Sequence, residues 1–327
     1  MRYSHTYRML LILLLIVVLL LLNLLLGSVS IPAQSIWNIL MGTGNEPVSW
    51  QNIVWKSRLP QALTALAAGA GLAVSGLQMQ TVFRNPLAGP SVLGISSGAS
   101  MGVAFVILLS GSLGGVALSR LGVMGEIALS VAAIIGSLSV MALIVYVSQK
   151  VKGNVTLLII GVMIGYVSNA VIGVLKFFSV EEDIRAYVIW GLGSFSRVSG
   201  NQMMLFVTLM AILLPLSFLL IKTLNLMLLG DGYARNLGLN IKRARLLMIV
   251  SAGVLTAIVT AYCGPIIFLG LAVPHLARAM FQTSDHRTLM PATLLLGAAL
   301  ALICNLLARM PGFEGALPVN SVTALVG

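Results

Sequence analysis

Long apolar runs separated by short charged segments dominate this chain. No Asp, Glu, Lys or Arg occurs between Arg8 and Glu46, Arg58 and Arg84, Arg84 and Arg120, Glu126 and Lys150, Lys152 and Lys176, Arg197 and Lys222, Arg245 and Arg278, or Arg287 and Arg309. A helix crossing hydrocarbon needs roughly 20 apolar residues, so most of these gaps have the length of one span. The gap after Arg84 holds a Pro-rich loop, Asn85 to Pro90, and then one span; the gap after Arg245 holds two, broken at Cys263-Gly264-Pro265. The pattern predicts an all-α polytopic membrane protein with spans at 9–26, 61–82, 92–110, 127–148, 155–178, 201–222, 243–262, 266–281, 289–308 and 318 onward, about ten in all. The last is cut short at Gly327 and is expected to be an incomplete helix. The first is longer than the apolar region of about 7–15 residues in a secretory signal, and reads as a retained helix. Nothing resembles a soluble domain, so residues 1–327 form a single transmembrane domain.

Composition closes off the soluble alternatives. Of 327 residues 59% are hydrophobic and 8% charged, and a soluble fold needs polar outer faces that such a chain cannot supply. A net charge of +11 would point to nucleic acid in a soluble protein. Here the charges sort by side. With the N-terminus inside, the inner segments carry Arg2, Arg8, Arg84, Lys150, Lys152, Lys222, Arg235, Lys242, Arg243, Arg245, Arg278 and Arg287, twelve of nineteen bases, and only Asp231 and Asp285 of eight acids. The outer segments carry seven bases with Glu46, Glu126, Glu181, Glu182, Asp183 and Glu314. That asymmetry is the positive-inside pattern; it sets the N-terminus in the cytoplasm and leaves nucleic acid no role.

The spans lack several kinds of chemistry. No carboxylate stands at mid-depth, where an ion-coupled carrier usually needs one. There is no G-x-x-x-x-G-K-[ST] loop for ATP and no paired Cys or His clusters for a metal, so the chain is expected to hold no catalytic site, no metal and no cofactor of its own. Cys263 and Cys304 read as small buried hydrophobes, and His275 as a packing or helix-end residue. Gly94, Gly98 and Gly102, then Gly161 and Gly165, stand four apart and suit close helix packing in lipid. Gly89-Pro90-Ser91-Val92-Leu93-Gly94-Ile95 resembles Gly264-Pro265-Ile266-Ile267-Phe268-Leu269-Gly270-Leu271 with one insertion. The copies are an odd number of spans apart, which makes the repeat inverted and puts a pathway at its interface.

An energy source must therefore come from a partner, and the longest inner connection suggests where. Leu229 to Leu239 alternates small and apolar residues with few charges, unlike a purely solvated connector. A short helix from Asp231 to Leu237, stopped by Gly238, is predicted. Leu228, Leu229 and Leu237 would then offer an apolar knob to a soluble protein.

The residues in sequence order resemble the permeases of binding-protein-dependent ABC importers for iron siderophores, haem and vitamin B12, the FecCD family. The likeness is carried by Arg58-Leu59-Pro60, Gly76-Leu77-Gln78-Met79-Gln80, Arg84-Asn85-Pro86-Leu87-Ala88, Trp190-Gly191, Gly193-Ser194-Phe195, the Gly230–Leu239 loop, Gly264-Pro265-Ile266, Pro274-His275 and Leu317-Pro318-Val319. The resemblance implies a type II importer fold in the bacterial inner membrane, a second copy of the chain, two cytoplasmic ATPase subunits using ATP and Mg, and a periplasmic or lipid-anchored binding protein. It implies an ATPase coupling loop at Gly230, Asp231, Ala234, Arg235, Leu237 and Gly238. It implies binding-protein docking by Arg58 and Arg309, with Lys56 added, although Gln61 and Ala316 depart from the usual pattern. It places a gate at Asn154, Val155 and Thr156, and a pathway is expected along Met163, Tyr166, Ser168 and Asn169. A carrier or channel working without ATP is the alternative; the missing membrane carboxylate and the apolar knob count against it.

Overall fold

The structure is a computed structural model that describes residues 2–112, 123–151, 153–198, 200–309 and 317–326. It is all-helical among these residues. In chain order the helices are α1 (Arg2–Leu25), α2 (Ala33–Met41), α3 (Val48–Ile53), α4 (Leu59–Phe83), α5 (Ile95–Ser112), α6 (Val123–Lys150), α7 (Asn154–Phe177), α8 (Glu181–Gly191), α9 (Gly200–Phe218), α10 (Ile221–Leu228), α11 (Asp231–Asn236), α12 (Ile241–Cys263), α13 (Leu269–Phe281), α14 (His286–Ala308) and α15 (Val319–Val326). Among the described residues six helices are long and apolar enough to cross a membrane, and α9 with α10 makes a seventh, bent by 47°. The spans expected at 92–110 and 266–281 are two shorter apolar helices, Ile95–Leu109 and Leu269–Phe281. Each follows a Gly-Pro pair: Gly89-Pro90 leads into a 3₁₀ turn, Pro90–Leu93, before α5, and Gly264-Pro265 begins a non-helical stretch before α13, which shortens the α-helical part. The segment 27–60, read from sequence as a connection, is largely helical: α2, then α3 joined to α4 through a π-helical turn, Val54–Arg58.

Helix α4 is the axis of the bundle. The span Val48–Phe83 has 89% of its apolar window buried, against 22% for Val155–Phe177, so α4 is central and α7 peripheral. Its sequence explains the position. Ala, Gly and Ser occupy most of Ala65 to Gly76, and small side chains let neighbouring backbones approach where no hydrophobic effect drives helices together in lipid. A Cβ at Gly69 would lie 2.3 Å from the Gly297 carbonyl oxygen of α14, and one at Gly76 would meet the carbonyl of Gly270 on α13. The expected glycine spacing acts the same way between α5 and α6, where Gly98 faces Gly136 and Gly102 faces Ala132. Gly161 touches the backbone at Val92, whereas Gly165 has only Ser97 nearby.

Several polar residues inside the bundle are paired across helices. Ser75 bonds the Ala252 carbonyl and Thr256 of α12 at 2.8 Å each. Asn305 of α14 donates to Asn23 of α1 at 2.8 Å, and Asn23 donates to the Leu19 and Leu302 carbonyls. Cys263 and Cys304 are free and buried. The helix ends fall into two groups, as alternating crossings require. Arg8 reaches Met280, and Arg84 and Arg245 share Asp231. At the opposite face Ser194 bonds Cys263, and Val319 bonds Gly193.

Candidate functional site

The segment after α10 is built by turn chemistry. Gly230, at φ +100°, breaks the chain after α10, and six residues of helix follow in α11. Leu237 is the C-cap. The Gly238 amide donates to the Arg235 carbonyl at 2.9 Å and the Leu239 amide to the Ala234 carbonyl at 3.0 Å, closing the helix with Gly238 left-handed at φ +84°. This is a Schellman ending, which glycine enters without the strain of a Cβ. Ala234 is fully buried and pins α11 to the bundle. Leu228, Leu229, Tyr233 and Leu237 all project outward, with Tyr233 73% exposed. The exposed surface therefore carries an apolar and aromatic group beside the exposed Arg235 and Asn236, and Tyr233 is a member that the leucine pattern alone did not suggest.

Two polar clusters fix this segment on the bundle. Asp231, in the first turn of α11, pairs with Arg84 at 2.5 Å and Arg245 at 3.3 Å. Arg84 is the left-handed C-cap of α4, at φ +48°, so the axis helix and α12 both grip the start of α11. Asn225 on α10 accepts from the His286 backbone amide at 2.9 Å and donates to Asp285 at 2.6 Å. Asp285 also accepts from the Arg287 amide, and this bond holds its carboxyl below the ordinary carboxylate range, against a smaller opposing effect of burial. His286 in turn touches Thr81 of α4 at 2.9 Å. His275 is exposed and lines a cavity of about 480 Å³ with Gln80, Arg84 and Arg278.

Helix α7 presents the residues expected along a pathway. Leu157, Gly161, Ser168 and Ile172 face the bundle. Met163, Tyr166 and Asn169 are exposed, with Val155 and Thr156 on the first turn. Ser168 departs from the expectation: it lies on the buried stripe, 1% exposed, because the helical period carries it to the side of Leu157 and Gly161. Asn154 opens α7, and its side chain lies outside the described residues.

At the opposite face the expected docking residues divide. Lys56 is exposed on the π turn. Arg58, expected at an exposed outer mouth, is instead 1% exposed. It donates to the carbonyls of Leu24 at 2.6 Å, Leu25 at 2.9 Å and Val29, satisfying the C-terminal end of α1. A helix terminus leaves carbonyls unpaired, and a guanidinium carries enough donors for several. Arg309 is half-buried just past α14. A Cβ on Gly27 would lie 3.1 Å from a guanidinium nitrogen of both Arg58 and Arg309, so the two cations bracket that glycine. Burial, and then the charge of Arg58, pull the Arg309 guanidinium down to about 10.

The sequence profile of the FecCD transport family matches residues 14–327. The chain belongs to the FecCD transport family. Among relatives of this family, the hemin transport system permease protein HmuU of Yersinia pestis is 35% identical over 304 residues, spanning 92% of this chain and 87% of that protein. The vitamin B12 import system permease protein BtuC of Klebsiella pneumoniae is 36% identical over 278 residues, 85% of this chain and 80% of that one. Among solved structures, a metal-chelate type ABC transporter in an inward-facing conformation superposes with a TM-score of 0.84 at 30% identity, covering 98% of this chain and 96% of that one. The FecCD membership expected from the sequence motifs is thus established, and with it a membrane-spanning permease. The motifs that carried the resemblance are also packed together. The Gln80 side chain donates to the Leu271 carbonyl at 3.0 Å and accepts from Arg278, and Pro90 lies against Gly270.

Proposed function

We propose that this FecCD-family chain is the membrane subunit of a binding-protein-dependent ABC importer that moves a large metal chelate, an iron siderophore or haem, or else cobalamin, across the bacterial inner membrane. In this reading two copies meet along the exposed face of α7, with Met163, Tyr166 and Asn169 on the route and the first turn of α7, Asn154 to Thr156, as the inner gate. A large cargo must leave as well as enter, and a lining of apolar and small polar groups avoids trapping it by strong ion pairs. Two ATPase subunits, using ATP and Mg, dock on α11 through Leu228, Leu229, Tyr233 and Leu237, with Gly230, Ala234, Arg235 and Gly238 shaping the segment. Asp231 passes their movement to α4 and α12 through Arg84 and Arg245. A periplasmic or lipid-anchored binding protein docks on the face of Lys56 and Arg309, while Arg58 holds that face together. The N-terminus lies in the cytoplasm.

The observation that carries this reading is α11: a short helix, fastened by ion pairs to the bundle axis, that exposes Tyr233 and, at its end, Leu237. The names of the relatives support both haem and cobalamin as cargo classes. The test is co-expression of the chain with its ATPase, purification of the complex, and a screen of binding-protein-loaded siderophores, haem and cobalamin for stimulated ATP hydrolysis. One class is expected to stimulate. Failure of the ATPase to co-purify, or hydrolysis indifferent to every loaded binding protein, contradicts the proposal.

A further inference from the structure

A cavity of about 310 Å³ opens among α5, α6, α8, α9 and α12. On the sidedness proposed above it lies at the outer face. Four side-chain atoms of the residues that line it are buried and lack a hydrogen-bond partner among the described residues: Asp183 Oδ2, Trp190 Nε1, Arg197 Nη1 and Gln202 Nε2. Asp183 is only 7% exposed and Trp190 2%. Buried polar groups are ordinarily paired, so four such atoms on residues that share one cavity point to an occupant that pairs them.

The chemistry of the four atoms describes that occupant. An indole N–H, a guanidinium and an amide are donors and call for acceptor oxygens. Asp183 is an acceptor, and the carboxylates of Glu126 and Glu182, both exposed, stand at the rim of the same cavity. Burial and then the neighbouring Glu182 push the Asp183 carboxyl up. Three carboxyls against one guanidinium leave the cavity anionic overall, which disfavours a purely anionic guest. The best complement carries an ammonium with N–H donors at one end and acceptor oxygens at the other.

The position supplies the rest. Trp190 and Tyr262 line the cavity where helices end, the level at which aromatic residues mark a membrane interface. Farther along α6 and α9, Val131, Ile135, Met204 and Leu205 are exposed and apolar. We propose that this cavity binds the head group of a zwitterionic phospholipid with a primary ammonium, its phosphate on Trp190, Arg197 and Gln202 and its ammonium on Asp183, Glu126 and Glu182. The acyl chains then lie on the exposed apolar faces of α6 and α9.

The test is native mass spectrometry of the delipidated full chain titrated with phosphatidylethanolamine, phosphatidylglycerol or phosphatidylcholine of identical acyl chains. Phosphatidylethanolamine is expected to bind roughly tenfold more tightly than phosphatidylglycerol, the scale of a hydrogen bond to a charged group. Phosphatidylcholine, whose ammonium carries no N–H, is expected to fall between them. Glu182→Gln with Asp183→Asn should abolish the preference, and Trp190→Phe, which keeps the ring and removes only the donor, should weaken phosphatidylethanolamine binding. Should the double variant not fold, Trp190→Phe decides alone. Equal binding of the three lipids by the unaltered chain, as a cavity filled by water would give, overturns the proposal, as does binding unmoved by the variants. This measurement is independent of transport, so its failure is distinguishable from failure of the importer reading.

Discussion

Replacing Gly238 with valine tests the proposed contribution of α11 to energy coupling. The backbone there is left-handed, at φ +84°, which costs an L-residue about 1–2 kcal/mol. Nothing stands within 4 Å of the added Cβ, so the substitution introduces no collision. Its effect runs through the helix ending alone. The two closing bonds, from the Gly238 and Leu239 amides, contribute about 1 kcal/mol each, and both are lost if the residue leaves the left-handed region. For a helix of six residues, a shift of that size changes the population of the docked form by roughly 5–30-fold. The assay is ATP hydrolysis by the reconstituted complex, with and without loaded binding protein, alongside uptake and thermal melting of the membrane subunit. Uptake should fall by about tenfold or more with little change in melting, because α11 is six residues long and only Ala234 of them is buried in the core. Asparagine, which tolerates the left-handed region, should preserve most of the coupling at the same position. Wild-type uptake by Gly238→Val refutes the argument, and so does equal damage from Gly238→Asn.

Other expectations follow from single contacts. Leu237→Asp should abolish co-purification of the ATPase while leaving melting unchanged, since Leu237 is 61% exposed. Arg58→Gln should strip the carbonyls at the end of α1 of their donors and lower stability by about 1–3 kcal/mol; Lys56→Glu should leave melting alone but slow binding-protein association, most at low ionic strength, and stopped-flow binding with thermal melting separates the two. Gly69→Val should give no folded protein in a size-exclusion profile, because its Cβ would meet backbone 2.3 Å away, whereas Gly173→Ala, with nothing within 4 Å, should be silent. Asn169→Trp, on the exposed face of α7, should slow chelate uptake without lowering basal ATP hydrolysis; equal uptake removes Asn169 from the route.

Much of the helix pattern was legible because charge is so costly in hydrocarbon that its gaps mark out the spans. The short helix in the inner connection was legible for a local reason: Gly230 and Gly238 bracket a run of helix length, and both adopt positive φ. Other features depend on tertiary contacts that no local pattern encodes. The π turn at Val54–Arg58 and the helices α2 and α3 lie in a stretch too polar to read as a span, and α3 runs on toward α4 through that turn. Arg58 reads as an exposed terminal charge until α1 is placed beside it, at which point unpaired carbonyls become its partners. Ser168 and Asn169 are adjacent in sequence and opposite in burial, a distinction that requires knowing which stripe of α7 meets the bundle. The grip of Arg84 and Arg245 on Asp231 joins residues 147 and 14 positions apart and is visible only in the fold.

The most direct test of the account is uptake into proteoliposomes that hold the chain with its ATPase, with binding protein and a radioactive iron chelate outside and ATP sealed within. The account predicts accumulation inside the vesicles that requires ATP, the binding protein and hydrolysis together, and that stops when ATP is replaced by a non-hydrolysable analogue. Accumulation by the chain alone, driven by a proton or sodium gradient in the absence of the ATPase, would contradict it and would make this chain a secondary carrier.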